Sequence, residues 1–215
     1  MSVTAAKIHA AAELFLTTGE RAYKDHLIKE AGFAAEAIGK LGWIAARADK
    51  ALGDEGFSST IRGALPGLRD EYAAQSAETP YGIPYRPHIW GAGWGIQRLG
   101  VQAYFLHNAY PGFFGPDMVF NALNFVLGCH PGPNNSSFAS GVGARSALTG
   151  YGINRADWSY IPGGVISGTA LIRPDYPELL DFPFLWQQTE YVMGGGSSHY
   201  MFLVLAARHL LNGGG

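Results

Sequence analysis

The sequence predicts an all-α fold of helical hairpins joined by long loops. Through most of the first half, apolar residues recur three and four positions apart, the spacing of one face of an α-helix. No stretch shows the sustained alternation of apolar and polar residues that predicts a β-strand. The chain also contains 30 Gly and 12 Pro, most of them in the second half, and these indicate long irregular connections there.

The helical spacing is clearest near the amino terminus, where Ile8, Ala11, Ala12 and Phe15 share one face. The segment 128–183 is rich in Gly, Pro, Ser and Asn, and a long irregular region of this kind usually carries function. The predicted helical segments are 4–17, 20–31, 34–52, 57–77, 94–110, 116–127 and 197–211.

Individual residues predict how these helices begin, bend and pack. Thr18 suits the N-cap of the second helix, with Gly19 in the turn before it. Pro66 predicts a kink or break in the fourth helix, and Pro116 suits the first turn of the sixth. Trp43 falls in a helical pattern and is expected in the core.

Composition limits the kinds of partner. The 215 residues suit one domain (residues 1–215) or part of a larger one. The net charge is -2, and no run of Lys or Arg offers a surface for nucleic acid or an anionic membrane. A single cysteine, Cys129, excludes a disulfide within the chain and a cysteine metal site. We therefore expect neutral or weakly charged ligands, with no metal or cofactor.

The sequence shows neither a membrane span nor an export signal. No apolar run is long enough to cross a bilayer. The first residues, Met1 to Thr4, lack the basic and apolar regions of a signal peptide.

Aromatic side chains make up 13% of the chain and occur beside Gly-rich loops. Flat rings stack on the apolar C–H faces of sugars, and Gly allows close backbone approach. This composition fits a sugar-binding cleft, and it equally fits a large aromatic core with long loops.

Two carboxylates flank an aromatic residue just before the last helix. Asp181 is followed after four residues by Trp186 and after three more by Glu190, with Tyr191 next. An apolar wall raises the pKa of a carboxyl group and can keep it protonated as a general acid. Glu190 could instead cap the last helix or form a salt bridge.

This spacing resembles the C-terminal active-site motif of glycoside hydrolase family 9, the family of many cellulases. The segment 124–131 resembles the family's helix that ends in a Leu-Gly-x-Asn-Pro turn, and 137–143 resembles its Ser-Tyr-Val-Thr-Gly-x-Gly loop. Pro162-Gly163-Gly164 with Gly168 resembles the loop that follows, and 11–23 resembles a helix-turn-helix of the same domain. The chain is thus similar to the C-terminal half of that catalytic domain.

The resemblance implies an (α/α)6 toroid of six helical hairpins, of which this chain supplies about half. It implies hydrolysis of β-1,4-linked glucan or related β-glycosides with inversion, and it makes Glu190 the general acid. The family's base aspartate lies in an Asp-Ala-Gly-Asp-like motif that this sequence lacks. The local carboxylates Asp157, Asp175 and Asp181 are the other candidates.

Candidate sugar contacts surround these motifs. Trp90 and Trp94 form a possible stacking platform at a Gly-rich junction, unless they belong to the core. The resemblance places Arg155 at a family substrate arginine, but Ile153 stands where many members carry histidine. His199 also lies beside the Gly-rich loops and could bind a hydroxyl. The other candidates for substrate binding are His88, His130, Trp158, Tyr160, Asp181 and Trp186.

Three hypotheses follow. The chain is a family-9-like hydrolase completed by an N-terminal half, or an incomplete fragment that binds carbohydrate or self-associates, for example as a dimer. The third is another (α/α)6 enzyme, such as a polysaccharide lyase or sugar epimerase, in which Tyr160 or His130 would be essential. The expected partner is an oligo- or polysaccharide, and the family is usually secreted or periplasmic.

Overall fold

The computed structural model describes residues 2–78, 81–84, 92–129, 136–146, 161–165 and 195–213. The chain divides into two compact units. The first unit comprises Met1–Glu71 and Phe105–Gly115, and the second comprises Tyr72–Tyr104 and Pro116–Gly215.

Helices account for most of the described residues, which confirms the all-α prediction there. Each predicted helical segment corresponds to one or more of them. The helices are α1 (Val3–Thr18), α2 (Arg21–Lys29), α3 (Ala31–Glu36), α4 (Ile38–Leu52), α5 (Glu55–Ser76), α6 (Ala92–Ala109), α7 (Asp117–Val126) and α8 (Gly195–Leu211).

The turn between α1 and α2 uses Gly19 as predicted but not Thr18. Gly19 has a φ of 70°, in the left-handed region, and its N–H donates to the carbonyl of Phe15 at 2.8 Å. The Thr18 hydroxyl donates to the carbonyl of Leu14 and accepts from the N–H of Glu20, which precedes α2. The prediction that Thr18 caps α2 is therefore wrong, because its hydroxyl serves the end of α1.

The next two predicted helices are three in the structure. Glu30 and Ala37 have ψ values of 10° and 29°, so the backbone leaves the helical path at each. Between them, α3 packs against α4 and buries Ala31 and Ala34. The breaks let this short helix turn its small side chains inward, and side-chain spacing alone does not predict them.

Helix α5 passes through Pro66 without a break, so of the predicted kink or break only the kink remains a prediction. Proline removes one backbone hydrogen bond and crowds the preceding turn. The buried face nevertheless continues on both sides of it, with Ile61, Leu65 and Leu68 almost fully enclosed. Packing of this face keeps the helix continuous.

The core of the first unit is the face shared by α1 and α4, which pack against each other. Ile8 and Phe15 from α1 are buried, as are Leu41 and Ile44 from α4. Trp43 is only half-buried, so the prediction that it lies in the core is only partly right.

An ion pair at the edge of this core joins α1 to α4. Nη1 and Nη2 of Arg47 both donate to the carboxylate of Glu13, and Nη2 lies 3.0 Å from Oε2. The guanidinium also lies over the rings of Phe105, at 5.1 Å, and Trp43, at 5.8 Å. The hydrogen bond from Arg47 holds the pKa of Glu13 below its ordinary value.

A buried carboxylate joins α4, α5 and the residue that follows α6. Asp49 is 7% exposed. It accepts hydrogen bonds from the hydroxyl of Ser58 and from that of Tyr110, whose oxygen lies 3.0 Å from Oδ2. Two donors compensate for burying this charge, as the desolvation penalty requires.

In the second unit, α6, α7 and α8 pack together around Gly100. A Cβ atom built on Gly100 would lie 2.8 Å from Cβ of Ala122 in α7 and 2.8 Å from a methyl group of Leu203 in α8. Glycine therefore allows the three helices to approach closely here.

A short β-pair lies in the region that the sequence predicts to be irregular. Strand β1 (Ser136–Ser137) pairs in parallel with β2 (Arg145–Ser146). Two-residue strands are too short to show an alternating pattern, so sequence spacing does not reveal them.

Candidate functional site

Two of the predicted site residues, Trp94 and His199, lie within the described part of the chain. His199 is the fifth residue of α8 and half-buried, and Trp94 is in the first turn of α6 and also half-buried. The side chain of Trp94 is therefore neither buried in the core nor fully exposed. The other predicted site residues and base candidates lie outside the described residues: His88, Trp90, His130, Arg155, Asp157, Trp158, Tyr160, Asp175, Asp181, Trp186 and Glu190.

The two helices that follow the predicted site segments run in the same general direction. Gly100 of α6 faces Leu203 of α8. Tyr104, one turn later, contacts Phe202 edge to face at 5.6 Å and His209 at 6.1 Å. The amino-terminal halves of α6 and α8 therefore lie side by side. In the sequence, Trp90 precedes α6 by two residues, and Glu190 precedes α8 by five residues.

The carboxyl end of α7 carries a loop cluster, which we define as residues 126–129, 136–146 and 161–165. The N–H of Phe138 donates to the carbonyl of Val126 at 2.7 Å, and that of Ala144 donates to Leu127 at 2.8 Å. These bonds fix the loop after α7 onto the last turn of that helix.

The third segment of the loop cluster is bonded to the second. The N–H of Ser140 donates to the carbonyl of Gly164 at 2.9 Å, and the N–H of Gly163 donates back to Ser140 at 2.8 Å. Ala139 and Val165 form an antiparallel bridge beside them. The cluster is thus held by backbone hydrogen bonds, which explains why it can form with little side-chain bulk.

Gly143 is the tightest point of the loop cluster. Its φ is 84°, a conformation that residues with a Cβ rarely adopt. A Cβ there would lie 2.6 Å from the hydroxyl oxygen of Ser137 and would also collide with the carbonyl oxygen of Leu127. Glycine is required both by the backbone angle and by the lack of space.

Aromatic stacking connects the loop cluster to the segment that leads toward α6. Phe138 stacks on Phe125 with ring centroids 5.4 Å apart, and the ring of Tyr81 meets that of Phe125 edge to face, with centroids 5.2 Å apart. The side-chain amide of Asn121 donates to the carbonyl of Gly82 at 3.2 Å. Residues 81–84 are therefore fixed against α7.

Two polar residues near the amino ends of α6 and α8 were not singled out as a pair by sequence reasoning. Gln97 is 0% exposed, and neither its amide nitrogen nor its oxygen has a hydrogen-bond partner among the described residues. Nδ1 of His199 is also buried and has no hydrogen-bond partner among the described residues. A Gln inside an otherwise apolar helical face is the sequence feature that could have indicated the first.

The first unit contains a cleft of about 340 Å³ beside Asp49. The carboxylate of Asp49 already accepts hydrogen bonds from Ser58 and Tyr110. The carboxylate of Asp54 accepts one from the N–H of Phe57 at the start of α5. Burial, together with the charge and hydrogen bond of Asp49, raises the pKa of Tyr110 above its ordinary value. Both carboxylates are engaged in hydrogen bonds that stabilise the helices, so we assign the residues of this cleft a structural role rather than a catalytic one.

Within the described residues, no group of three or more His, Cys, Asp or Glu side chains could hold a metal ion. None of the helices described is both long and apolar enough to cross a membrane. No family model, no curated protein and no solved structure matches this chain.

Proposed function

We propose that this chain is part of an inverting β-glycoside hydrolase of the family 9 kind, with Glu190 as its general acid. The observation that carries the proposal is the loop cluster. Three separate sequence segments resemble family motifs, namely 124–131, 137–143 and 162–164, and described residues of all three are joined by backbone hydrogen bonds. This assembly is what the proposal expects of the three segments, and it supports the proposal.

The arrangement of α6 and α8 gives further support. In a ring of helical hairpins, helices in equivalent positions of successive hairpins run in the same direction. Helices α6 and α8 do so, and α7 packs against both. Their amino ends are where Trp94 lies and where the sequence leads in from Glu190. A sugar chain bound across these ends would meet an aromatic platform and an acid.

In the proposed mechanism, Glu190 is protonated before reaction and gives its proton to the leaving glycosidic oxygen. The C–O bond to the anomeric carbon breaks as a water molecule attacks from the opposite face. A second carboxylate takes the proton of this water, and in inverting enzymes the two carboxyl groups stand about 6.5–9.5 Å apart. The base belongs to the complementing half of the domain, because the family motif for it is missing here.

An exposed apolar stripe on α8 favours a complementing segment. Met201, Leu205 and Leu211 of α8 are 65%, 60% and 74% exposed, while Leu203 on another face is fully buried. Large exposed apolar patches mark interaction surfaces. We propose that the stripe packs against the helical half that supplies the base.

The oligomeric state tests this part of the proposal. Sedimentation of the chain alone should show concentration-dependent self-association through the stripe, reduced by the double variant Met201→Gln, Leu205→Gln. Because both side chains are exposed, the variant should keep its helical circular dichroism. A chain that stays monomeric at high concentration, with no difference between the two proteins, would contradict an exposed packing surface.

The activity test compares the chain with Glu190→Gln on short β-1,4-linked oligosaccharides. The matched control is Glu55→Gln, an exposed glutamate at the start of α5. When the complementing half that carries the base is present, we expect cleavage that inverts the anomeric carbon. Glu190→Gln should abolish this cleavage, and the control should keep it. Equal activity of Glu190→Gln and wild type would refute its role. An unsaturated product that depends on Tyr160 or His130 would indicate a lyase instead.

A further inference from the structure

Gln97 and His199 present polar atoms that the described structure leaves unsatisfied. Both polar atoms of the Gln97 amide and Nδ1 of His199 are buried, without hydrogen-bond partners among the described residues. A buried polar group without a partner costs about 1–3 kcal/mol, so native proteins keep very few. Such groups are explained when a water molecule, an ion or a ligand completes them.

These two residues lie at the same end of the paired helices. Gln97 is three positions before Gly100 on α6, and His199 is four positions before Leu203 on α8. Each is therefore one turn closer to the amino end than the Gly100–Leu203 contact and on the same face. Side chains on a helix lean toward its amino terminus, so both polar groups are directed toward that end.

The amino ends of α6 and α8 carry positive charge without an acidic residue from either helix. A helix amino terminus carries a partial positive charge and favours a carboxylate in its first turn. Neither α6 nor α8 has an acidic residue in the first turn, and neither contains one anywhere along its length. Arg98, on α6, is exposed and forms no ion pair with a described residue.

Arg98 also acts on His199. Burial, and secondarily the charge of Arg98, lower the pKa of His199 below its ordinary value. In the uncharged form of the imidazole, Nδ1 can carry a hydrogen and donate it. Two helix ends, a guanidinium, an amide and an imidazole thus offer donors and positive charge, with no acid from either helix to balance them.

We propose that the amino ends of α6 and α8 form a subsite for the carboxylate of an acidic sugar unit, a uronic acid within a β-linked chain. Arg98 makes the charged contact, His199 donates to the carboxylate or a neighbouring hydroxyl, and the amide of Gln97 pairs with a hydroxyl as both donor and acceptor. The inference rests on the proposed sugar-binding function and narrows its substrate from plain glucan to an acidic β-glycan.

The test is calorimetric titration with two β-1,4-linked disaccharides, cellobiose and its uronic-acid counterpart, using Glu190→Gln to prevent turnover. The acidic disaccharide should bind roughly tenfold more tightly, as one charge-assisted hydrogen bond allows, and added salt should reduce the difference. Arg98→Gln should remove the preference. The matched control is Arg208→Gln, an exposed arginine in the last turn of α8, at the opposite end.

A second variant separates binding from folding. Gln97→Leu removes a buried amide that has no described partner, so it should leave stability unchanged or raise it while weakening binding of the acidic disaccharide. Equal affinity for the two disaccharides, or an Arg98→Gln effect no larger than that of Arg208→Gln, would overturn the inference and leave the proposed hydrolase standing. Failure to bind any sugar chain would overturn both.

Discussion

Replacing Gly100 with Ala is expected to destabilise the second unit, although the same change usually stabilises a helix. In a helix interior, Ala is favoured over Gly by roughly 0.5–1 kcal/mol. Here the new Cβ would lie 2.8 Å from Cβ of Ala122 and 2.8 Å from a methyl group of Leu203. Forcing an extra carbon into a packed core costs about 1–3 kcal/mol. The net loss is on the order of 1 kcal/mol.

The measurement is urea unfolding followed by circular dichroism, with hydrogen exchange of α6 amides to place the effect in the second unit. The matched control is Gly63→Ala in α5, where a new Cβ would meet no atom within 4 Å. It should stabilise the protein by roughly 0.5–1 kcal/mol. In a Leu203→Ala background, which makes room on one side, the cost of Gly100→Ala should shrink. If Gly100→Ala stabilises the protein as much as Gly63→Ala does, the inference that α6, α7 and α8 pack closely at Gly100 is wrong.

Three further substitutions test other contacts. Gly143→Ala should cost at least the 1–3 kcal/mol of a strained backbone and weaken near-ultraviolet aromatic dichroism; unchanged stability and dichroism would contradict the tight turn. Tyr110→Phe should cost about 1–3 kcal/mol at neutral pH. Because the pKa of Tyr110 is raised in the folded protein, the Tyr110 hydroxyl loses its proton at a lower pH in the unfolded chain than in the folded one. The stability of the wild type should therefore fall more steeply above pH 10.0 than that of the variant. Parallel plots of stability against pH for the two proteins would refute this. Glu13 has a lowered folded pKa, so its pairing with Arg47 stabilises above pH 4.5 and is lost in acid. Glu13→Gln should cost up to about 1 kcal/mol at neutral pH and nothing at low pH, a convergence that titrating unfolding against pH would detect.

Local rules were sufficient for α1. The face of Ile8, Ala11, Ala12 and Phe15 is buried as its spacing predicts, because a helix with one apolar face has one favourable way to exclude water. Gly19 ends α1 as predicted, because glycine adopts a left-handed φ without steric cost.

Apart from the local hydrogen bonds of Thr18, the features that the sequence missed or left open depend on atoms distant in sequence. Pro66 does not break α5, because the buried residues on either side outweigh one lost hydrogen bond. The breaks at Glu30 and Ala37 follow from the packing of α3 on α4. The segment of α8 is rich in apolar residues, but only packing decides which of its faces is covered.

For the candidate site, the sequence by itself predicted the chemistry, from the spacing of Asp181, Trp186 and Glu190 and from Gly-rich segments that resemble one hydrolase family. Tertiary structure alone decided which of those segments meet, since backbone hydrogen bonds between distant loops leave no periodic trace. It also decided that Gln97 is enclosed without a partner, because burial is a property of every neighbour a side chain acquires on folding.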